Sequence, residues 1–337
     1  MGNKALIPPG LAYLGDNITS KKNLLGAKKG EGTKWAKGLN LPQSGETIFF
    51  AGCGYQYSSQ LESLMSLSRR MDKGGVSDMA MGMVGLQKKI GIDAAGIYRR
   101  VMAKGSEDDA SVLQDAVKVL QELGVKFGYM GDDEPCCGGL LHYMGLEEDF
   151  KRHAENVQSQ LKSHGVSKVV GIVPSCTYTL RNLVSDVVPD SGLEVKHFSQ
   201  VVAENLPSLS LKFPRNAKVT YHDPCQLVRY LGIVEEPRSI LRAIHGLELV
   251  ETNGTNREWA TCCGGGGGFE AVFPEMSQIL AVNRAKELAD TGADIVVTNC
   301  PGCIMQLKTG LKELKADKIE VLDLAQVVAR AMGGVEP

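Results

Sequence analysis

The sequence has no long apolar stretch and no run of basic residues, and each absence excludes a class of protein. Its 337 residues carry a formal net charge of −2, so composition gives no reason to expect a nucleic acid or an anionic membrane as partner. The most apolar stretch near the start, residues 5–14, is short and is broken by Pro8-Pro9-Gly10. It predicts neither a membrane span nor a secretory signal. We therefore expect a cytoplasmic protein without a direct membrane span.

Nucleotide-binding and electron-carrier motifs are also missing. The glycine run at 264–268 is followed by no Lys-Ser/Thr pair and by no suitably placed acidic residue, so it does not indicate a phosphate loop. The chain has no ferredoxin-type C-x-x-C-x-x-C run and no flavin fingerprint. We therefore expect electrons for a redox reaction to come from elsewhere.

Cysteine, in contrast, is abundant. An odd number of cysteines in a chain with these features argues against a disulfide framework and favours metal or redox chemistry. Free cysteines are often simply buried apolar residues. Here, however, each one falls at or near a predicted strand end or in a turn of glycine or proline, which disfavours that alternative. The nine are Cys53, Cys136, Cys137, Cys176, Cys225, Cys262, Cys263, Cys300 and Cys303.

Predicted strands alternate with predicted helices, and the pattern occurs twice. Residues 200–203 and 326–329 both read Gln-Val-Val-Ala, at an offset of 126 residues. The same offset carries the Cys-Cys pair at 136 onto the pair at 262. This agreement predicts an internal duplication. The expected fold is α/β, with two duplicated half-domains, mainly parallel sheets, and iron–sulfur or other metal sites in loops at the carboxyl ends of the strands.

The duplication suggests three regions. Residues 1–45 lack sustained periodicity and are expected to form an N-terminal extension, either a solvated arm or an arm that docks on a partner protein. The first half-domain is placed at 46–210, with a helical insertion within 59–105 and a strand at 125–129. The second half-domain, with the complete cysteine motif, is placed at 211–337.

The second half-domain contains five cysteines at regular spacing. Cys225 is separated by 36 residues from the pair Cys262-Cys263, which is separated by another 36 from Cys300, and Cys303 follows. A structural zinc takes four ligands, so this set oversupplies it. Thiolate sets otherwise favour iron–sulfur clusters, in which an adjacent pair can ligate two metal atoms. The glycines allow close backbone approach and offer N–H groups to sulfides. The spacing predicts a cluster, with a structural zinc or scaffold protein as the alternative.

The first half-domain departs from this pattern. Aligning Cys176 on Cys303 places Val173 where Cys300 stands, so four thiols remain. Four suffice for a conventional cubane cluster. A vacant, degenerate motif, another metal and a redox-active thiol pair stay open as alternatives. The remaining candidates are Cys53, Cys136, Cys137 and Cys176.

This arrangement of cysteines resembles the cysteine-rich CCG domain of the B-type and D-type subunits of heterodisulfide reductase. The same family includes components of membrane complexes and of glycerol-3-phosphate and lactate oxidation. The resemblance covers residues 45–330. It implies a noncubane [4Fe-4S] cluster that serves disulfide or thiol redox chemistry or electron transfer, and a second iron–sulfur cluster if the first motif is occupied. The implied ligands of the noncubane cluster are Cys225, Cys262, Cys263, Cys300 and Cys303.

The resemblance also implies a function and partners. The chain would be the iron–sulfur subunit of a cytoplasmic, multi-subunit oxidoreductase similar to heterodisulfide reductase, acting on a disulfide or thiol. The expected partners are a ferredoxin-like iron–sulfur protein, resembling the C-type component of that enzyme, and a flavin-containing protein, resembling its A-type component. The alternative is a non-catalytic electron relay in a dehydrogenase or quinone-linked complex, which the incomplete first motif favours.

Residues other than cysteine give weaker signals. His222 and Arg229 flank Cys225 and are candidates to donate to the cluster or to a substrate sulfur, since a nearby cation assists the departure of a thiolate. The favoured alternative for His222 is a hydrogen bond to its local turn. His142 and His153 are expected on or near the surfaces of their helices.

Overall fold

The computed structural model describes residues 6–63, 108–189 and 191–333. Its strands are β1 (Thr47–Phe50), β2 (Lys168–Gly171), β3 (Glu194–His197), β4 (Lys212–Tyr221), β5 (His245–Leu249), β6 (Ile295–Thr298) and β7 (Glu320–Asp323). They form one sheet of order β1-β2-β3 and another of order β5-β4-β6-β7. Every pairing between these strands is parallel. The predicted α/β class with two parallel sheets is confirmed.

Helices connect the strands in both halves of the described chain. Those of the first half are α1 (Pro9–Lys21), α2 (Gly52–Gln56), α3 (Asp108–Glu122), α4 (Gly139–Tyr143), α5 (Glu147–Ser163), α6 (Pro174–Tyr178), α7 (Val184–Val187) and α8 (Phe198–Glu204). Those of the second half are α9 (Glu235–Ala243), α10 (Phe269–Val272), α11 (Pro274–Ala289), α12 (Pro301–Glu313) and α13 (Leu324–Ala331). Shorter turns are π-helical at Thr179–Leu183 and Gln226–Tyr230, and 3-10 at Lys34–Ala36, Gly131–Asp133, Leu206–Ser208 and Arg257–Trp259.

The core lies between the sheets and these helices. In α3 the apolar residues recur at helical spacing, and Leu113, Val117 and Leu120 are all fully buried. The interior strand β6 is buried at each of its four positions, as expected for a parallel strand covered on both faces. This packing fixes the strand ends, from which the cysteine loops emerge.

The duplication is visible in how the last strand of each half enters its helix. His197 ends β3 and accepts a hydrogen bond from the Ser199 N–H, while the Gln200 side chain accepts one from the His197 N–H. Asp323 ends β7 and is the centre of the same arrangement, with Gln326 in the role of Gln200. Both are capping boxes. The repeated Gln-Val-Val-Ala therefore marks equivalent helix starts.

The buried His197 gives the fold a dependence on pH. Desolvation lowers its pKa from 6.5 to about 4. Between these two pH values, the histidine is protonated in the unfolded chain and neutral in the folded chain. Stability should therefore fall as the pH drops from 6.5 towards 4 and change no further below that, a loss of about 3 kcal/mol from this group. Thermal unfolding at pH 7 and at pH 5 checks this. His197→Asn, which keeps a capping oxygen but cannot titrate, should lose less stability over the same interval; equal losses would contradict the assignment.

Some expectations differ from the structure. Residues 125–129 do not form a strand: their pairing is a single isolated bridge between Ile48 and Gly128. This segment lies beside β1 between two turns. It is therefore too short to form a further strand of the first sheet. The predicted helical insertion within 59–105 lies largely outside the described residues, which stop at 63 and resume at 108.

The N-terminal segment packs on its own chain. Ile18 in α1 is fully buried, and Leu25 and Trp35 are buried in the same core as the first sheet. The Lys22 carbonyl accepts a hydrogen bond from the Cys136 N–H at 3.0 Å. This segment therefore supports the first Cys-Cys turn. Its docking on a partner protein stays a prediction, as do the boundaries of the three regions.

Candidate metal centres

The five cysteines of the second half converge on one site. Cys225 follows β4 and Cys300 follows β6, and these strands are neighbours in the sheet. Because carboxyl ends of parallel strands meet at one edge, the two loops lie side by side. The sulfurs of Cys263 and Cys303 are 3.2 Å apart. Cys262 is a hydrogen-bonding neighbour of Cys263, and Cys300 of Cys303.

The glycine run lets the chain turn tightly around these sulfurs. Gly264 has φ +80°, and a Cβ there would lie 2.4 Å from the Ser277 carbonyl oxygen. The Ser277 hydroxyl donates to the Gly264 carbonyl at 2.7 Å, and Gln306 donates to the Ser277 hydroxyl at 2.7 Å. Helices α11 and α12 thus clamp the turn from both sides. The sulfur of Cys262 accepts a hydrogen bond from the Gly264 N–H at 3.3 Å.

We expect Gly264→Ala to damage the second site far more than Gly267→Ala. Both glycines have positive φ, so alanine costs roughly 1–2 kcal/mol of backbone strain at either position. Only at Gly264 does the added methyl also collide with backbone, because nothing lies within 4 Å of a Cβ at Gly267. Iron content of the anaerobically purified variants checks this. Equal retention of iron by the two would show that the clamp is unnecessary.

The four cysteines of the first half form a second cluster. Cys53 follows β1 and Cys176 follows β2, again neighbouring strands. The sulfurs of Cys137 and Cys176 are 3.4 Å apart, which matches the contact between the equivalent residues of the second half. Val173 is the N-cap residue before a proline at the start of α6, as Cys300 is before Pro301 in α12. The alignment of Val173 with Cys300 is therefore also structural.

Two residues that sequence reasoning misses or misplaces support the first Cys-Cys turn. Glu134 accepts hydrogen bonds from the Ala51 and Gly52 N–H groups, both at 2.9 Å, and burial raises its pKa to about 8. The expectation that His153 lies near a helix surface is wrong: it is buried, with Nε2 2.7 Å from the Cys136 carbonyl oxygen. A hydrophilic residue on an amphipathic helix gives no sequence signal that it faces inward.

Exposure separates the two clusters. All four first-half cysteines are buried. In the second half Cys263 and Cys303 are buried, Cys225 and Cys300 are partly exposed, and Cys262 is exposed. Two exposed aromatic side chains are close in sequence to the more exposed cysteines. Tyr230 follows Cys225, and Trp259 precedes Cys262. The second site is thus accessible to a molecule from solution, and the first is closed.

The protonation of the thiols indicates that each cluster suits a cation. Hydrogen bonds from neighbouring thiols lower the pKa of Cys137 and of Cys263, while the pKa of Cys303 is raised by its hydrogen bond with Cys263. Burial raises the pKa of Cys225 to about 11. Thiols packed this closely cannot all ionise, because like charges repel. A bound metal cation removes that restriction, so the donor sets fit an iron–sulfur cluster.

The two candidate side chains beside Cys225 have different surroundings. Arg229 donates to the Glu258 and Ala260 carbonyls at 2.9 and 2.7 Å, and so holds the loop that leads to Cys262. The ring of His222 does not bond its local turn. Its Nδ1 accepts a hydrogen bond from the Nε of Arg284 at 3.0 Å, and a ring nitrogen lies within 4.8 Å of the sulfurs of Cys263 and Cys303.

A buried ion-pair network holds the turn that carries Cys225. Arg238 is fully buried and donates to both carboxylate oxygens of Asp223, at 2.7 and 2.8 Å, and to Glu251. Asp223 also accepts from the Arg257 N–H at 2.8 Å. Asp223 lies two residues before Cys225. The network therefore fixes the position of the first thiol of the complete motif.

The two cysteine loops face each other across the boundary between the halves. A Cβ added at Gly54, next to Cys53, would lie 2.8 Å from the Cγ of Pro301. The Tyr143 hydroxyl donates to the Gln226 side chain at 3.2 Å. Tyr178 and Tyr230 stack edge to face with ring centroids 5.1 Å apart. The two clusters are thus adjacent within one packed interface.

Comparison with known proteins agrees with this duplicated geometry. A model of the cysteine-rich domain called CCG matches residues 102–181 and again residues 219–308, half of the chain in total. The chain belongs to the CCG family. Each match contains a Cys-Cys pair and the cysteine in the first turn of α6 or α12. The expected resemblance to heterodisulfide reductase is also borne out by curated relatives.

Three such relatives illustrate the range. The D-type subunit of the dihydromethanophenazine:CoB–CoM heterodisulfide reductase of Methanosarcina acetivorans is 34% identical over 228 residues, which cover 64% of this chain and 54% of that protein. The EtfAB:quinone oxidoreductase of Syntrophomonas wolfei is 31% identical over 64% of this chain and 31% of its own length. A probable iron–sulfur-binding oxidoreductase of Bacillus subtilis is 31% identical over 70% and 34%.

The matches cover only part of each relative. This CCG chain spans about half the length, or less, of the curated relatives that it matches. The relatives are oxidoreductases or their subunits, which supports an oxidoreductase role and an iron–sulfur cluster for this chain. No helix among the described residues has the length and apolarity needed to cross a bilayer.

Proposed function

We propose that this chain is the iron–sulfur subunit of a cytoplasmic complex similar to heterodisulfide reductase, with a noncubane [4Fe-4S] cluster in the second half that reduces disulfides. The observation that carries the proposal is the set of five convergent thiols, three of which reach the surface. An adjacent pair clamped in a glycine turn suits two metal atoms better than one. The proposed ligands are Cys225, Cys262, Cys263, Cys300 and Cys303.

The chain contributes access and orientation to the reaction. Reduction of a disulfide takes up two electrons and two protons, breaks the S–S bond and releases two thiols. A cluster held by the five thiolates would supply electrons singly and an iron atom with affinity for sulfur. The open side at Cys262 admits the substrate, and the buried Cys263 and Cys303 anchor the opposite side. Arg229 fixes the loop before Cys262 through its two carbonyl contacts.

The first site suits electron relay. Its four thiols match the requirement of a conventional cubane cluster, and their burial keeps substrate away. The packed interface between the two cysteine loops gives a short route from the first site to the second. In this proposal Cys53, Cys136, Cys137 and Cys176 hold the relay cluster.

The proposal requires electron donors. The sequence contains no flavin fingerprint and no ferredoxin motif. We therefore propose two partners, a ferredoxin-like protein resembling the C-type component of heterodisulfide reductase and a flavin-containing protein resembling its A-type component. Purification of the native protein under mild conditions should retain both. A chain that reduces disulfides from a low-potential donor with no partner would argue against this part.

A second candidate function is an electron relay in a quinone-linked complex. The relative named EtfAB:quinone oxidoreductase favours it. In that case the chain passes electrons onward and its clusters bind no substrate sulfur.

Iron and acid-labile sulfide analysis of the anaerobically purified protein tests the common basis of both functions. We expect iron and sulfide in equal amounts. Zinc in place of iron, without labile sulfide, would reject both in favour of a structural metal site.

A further inference from the structure

Arg284 is a buried cation that contacts His222 directly and the loop leading to Cys262 through Glu287. Its side chain is fully buried, and its Nε donates to the His222 Nδ1 at 3.0 Å. Its Nη1 donates to the Thr255 carbonyl at 2.8 Å and to Glu287 at 2.6 Å. Glu287 in turn accepts from the Thr261 hydroxyl, next to Cys262, at 2.9 Å. Helix α11 thus connects the imidazole to the loop that enters the Cys-Cys pair.

This contact determines where the imidazole proton lies. A guanidinium group can only donate, so Nδ1 must be the acceptor. A neutral ring that accepts at Nδ1 carries its hydrogen on Nε2. Among the described residues, Nε2 is buried and has no hydrogen-bond partner. It is thus the ring nitrogen free to donate to the sulfurs of Cys263 and Cys303, which lie within 4.8 Å of a ring nitrogen.

Two other roles for His222 conflict with this geometry. A metal ligand needs a lone pair on Nε2, which would leave the ring with no hydrogen at all while Arg284 occupies Nδ1. A protonated, cationic ring would carry a hydrogen on Nδ1, directed at the guanidinium. Both arrangements lose the hydrogen bond with Arg284. A role as donor to sulfur keeps this hydrogen bond, whereas a ligand or the protonated acid that the sequence suggests would lose it.

We infer that Arg284 is a positioning residue that holds His222 as an Nε2–H donor to the sulfur atoms of the second centre and thereby raises its reduction potential. Hydrogen bonds to the sulfurs of an iron–sulfur centre stabilise the added negative charge of the reduced state. The inference rests on the proposed iron–sulfur occupancy of the second site. It does not depend on whether the substrate is a disulfide or the chain is a relay.

The test is the reduction potential of the second-site centre, followed by EPR during an anaerobic redox titration of the complete protein. His222→Met removes the donor and should lower the potential. His222→Gln places an amide N–H near the position of Nε2 and should keep the potential close to that of the wild type. His245→Met, at an exposed histidine of β5, is the matched control and should change nothing.

A double variant separates positioning from the charge of Arg284 itself. Arg284→Met should lower the potential because the ring is no longer held. If Arg284 acts through His222, then Arg284→Met combined with His222→Met should have the same potential as His222→Met alone. Additive shifts would mean that Arg284 acts through its own charge, and would overturn the positioning role.

A spectroscopic readout completes the test. In the wild type, ENDOR of the reduced centre should detect a weakly coupled proton that exchanges in D₂O and is lost in His222→Met. A strong nitrogen coupling from a coordinated histidine would overturn the inference, as would an unchanged potential in His222→Met. Absence of iron and sulfide from the wild type would reject the proposed function, and this inference with it, before any variant is compared.

Discussion

Cys300→Ser should abolish the EPR signal of the proposed noncubane cluster, while Cys176→Ser should leave that signal unchanged. Cys300 is the one cysteine of the second motif for which the first motif has no equivalent, since Val173 stands in its place. Losing it reduces the second site to the four thiols of the first. Serine is nearly isosteric, so the fold should persist. EPR of both variants, purified anaerobically and reduced to the same extent, is the measurement.

The pair is internally controlled because each variant removes one thiol from a different cluster. Cys176→Ser should instead disturb the signal of the proposed relay cluster, and the proposed disulfide reduction should slow because electrons no longer reach the second site. If Cys176→Ser removed the unusual signal and Cys300→Ser did not, the noncubane assignment would belong to the first half.

Arg238→Met should destabilise the protein by about 3–5 kcal/mol. The side chain is fully buried and is paired with Asp223, which is also buried. Removing the cation leaves the Asp223 carboxylate in the interior without its main partner, and the desolvation cost of that charge is no longer offset. The thermal unfolding temperature and the iron content should both fall, because Asp223 positions the turn that carries Cys225.

Arg242→Met provides the control for this effect on the same helix. Arg242 pairs with Glu235 at 3.4 Å, and both side chains are more than half exposed. An exposed ion pair of this kind contributes about 0–1 kcal/mol. Comparable destabilisation by the two substitutions would indicate that the position of α9, and not the buried pair, determines stability.

The cysteine sites could be predicted from the sequence because their geometry follows from topology. Strand patterns place Cys53, Cys176, Cys225 and Cys300 after the carboxyl ends of strands, and parallel sheets bring such ends together. The substitution of Val173 for the fifth cysteine is also visible in the sequence, because the Cys176 and Cys303 turns align residue by residue. Gln200 and Gln326 also align in the sequence, and they occupy equivalent capping positions in the structure.

The surroundings of the thiols were not predictable in the same way. Arg284 meets His222 across 62 residues of sequence, and nothing in a helix pattern marks an arginine as buried. Glu134 lies in an acidic segment with the composition of a solvated turn, yet its carboxylate accepts hydrogen bonds from the backbone beside Cys53. The difference in exposure between the clusters depends on how the loops pack. The packing of the N-terminal segment on the core could not be predicted, because its buried residues do not recur at a regular spacing.

In the proposed function, the second site holds a cluster that is open to a substrate sulfur. The most direct measurement is the EPR spectrum of the anaerobic wild-type protein, recorded with increasing concentrations of small thiols and their disulfides. We predict a spectral change that saturates with concentration and is confined to the signal lost in Cys300→Ser. A spectrum that no thiol or disulfide alters would contradict the claim and leave the chain as an electron relay.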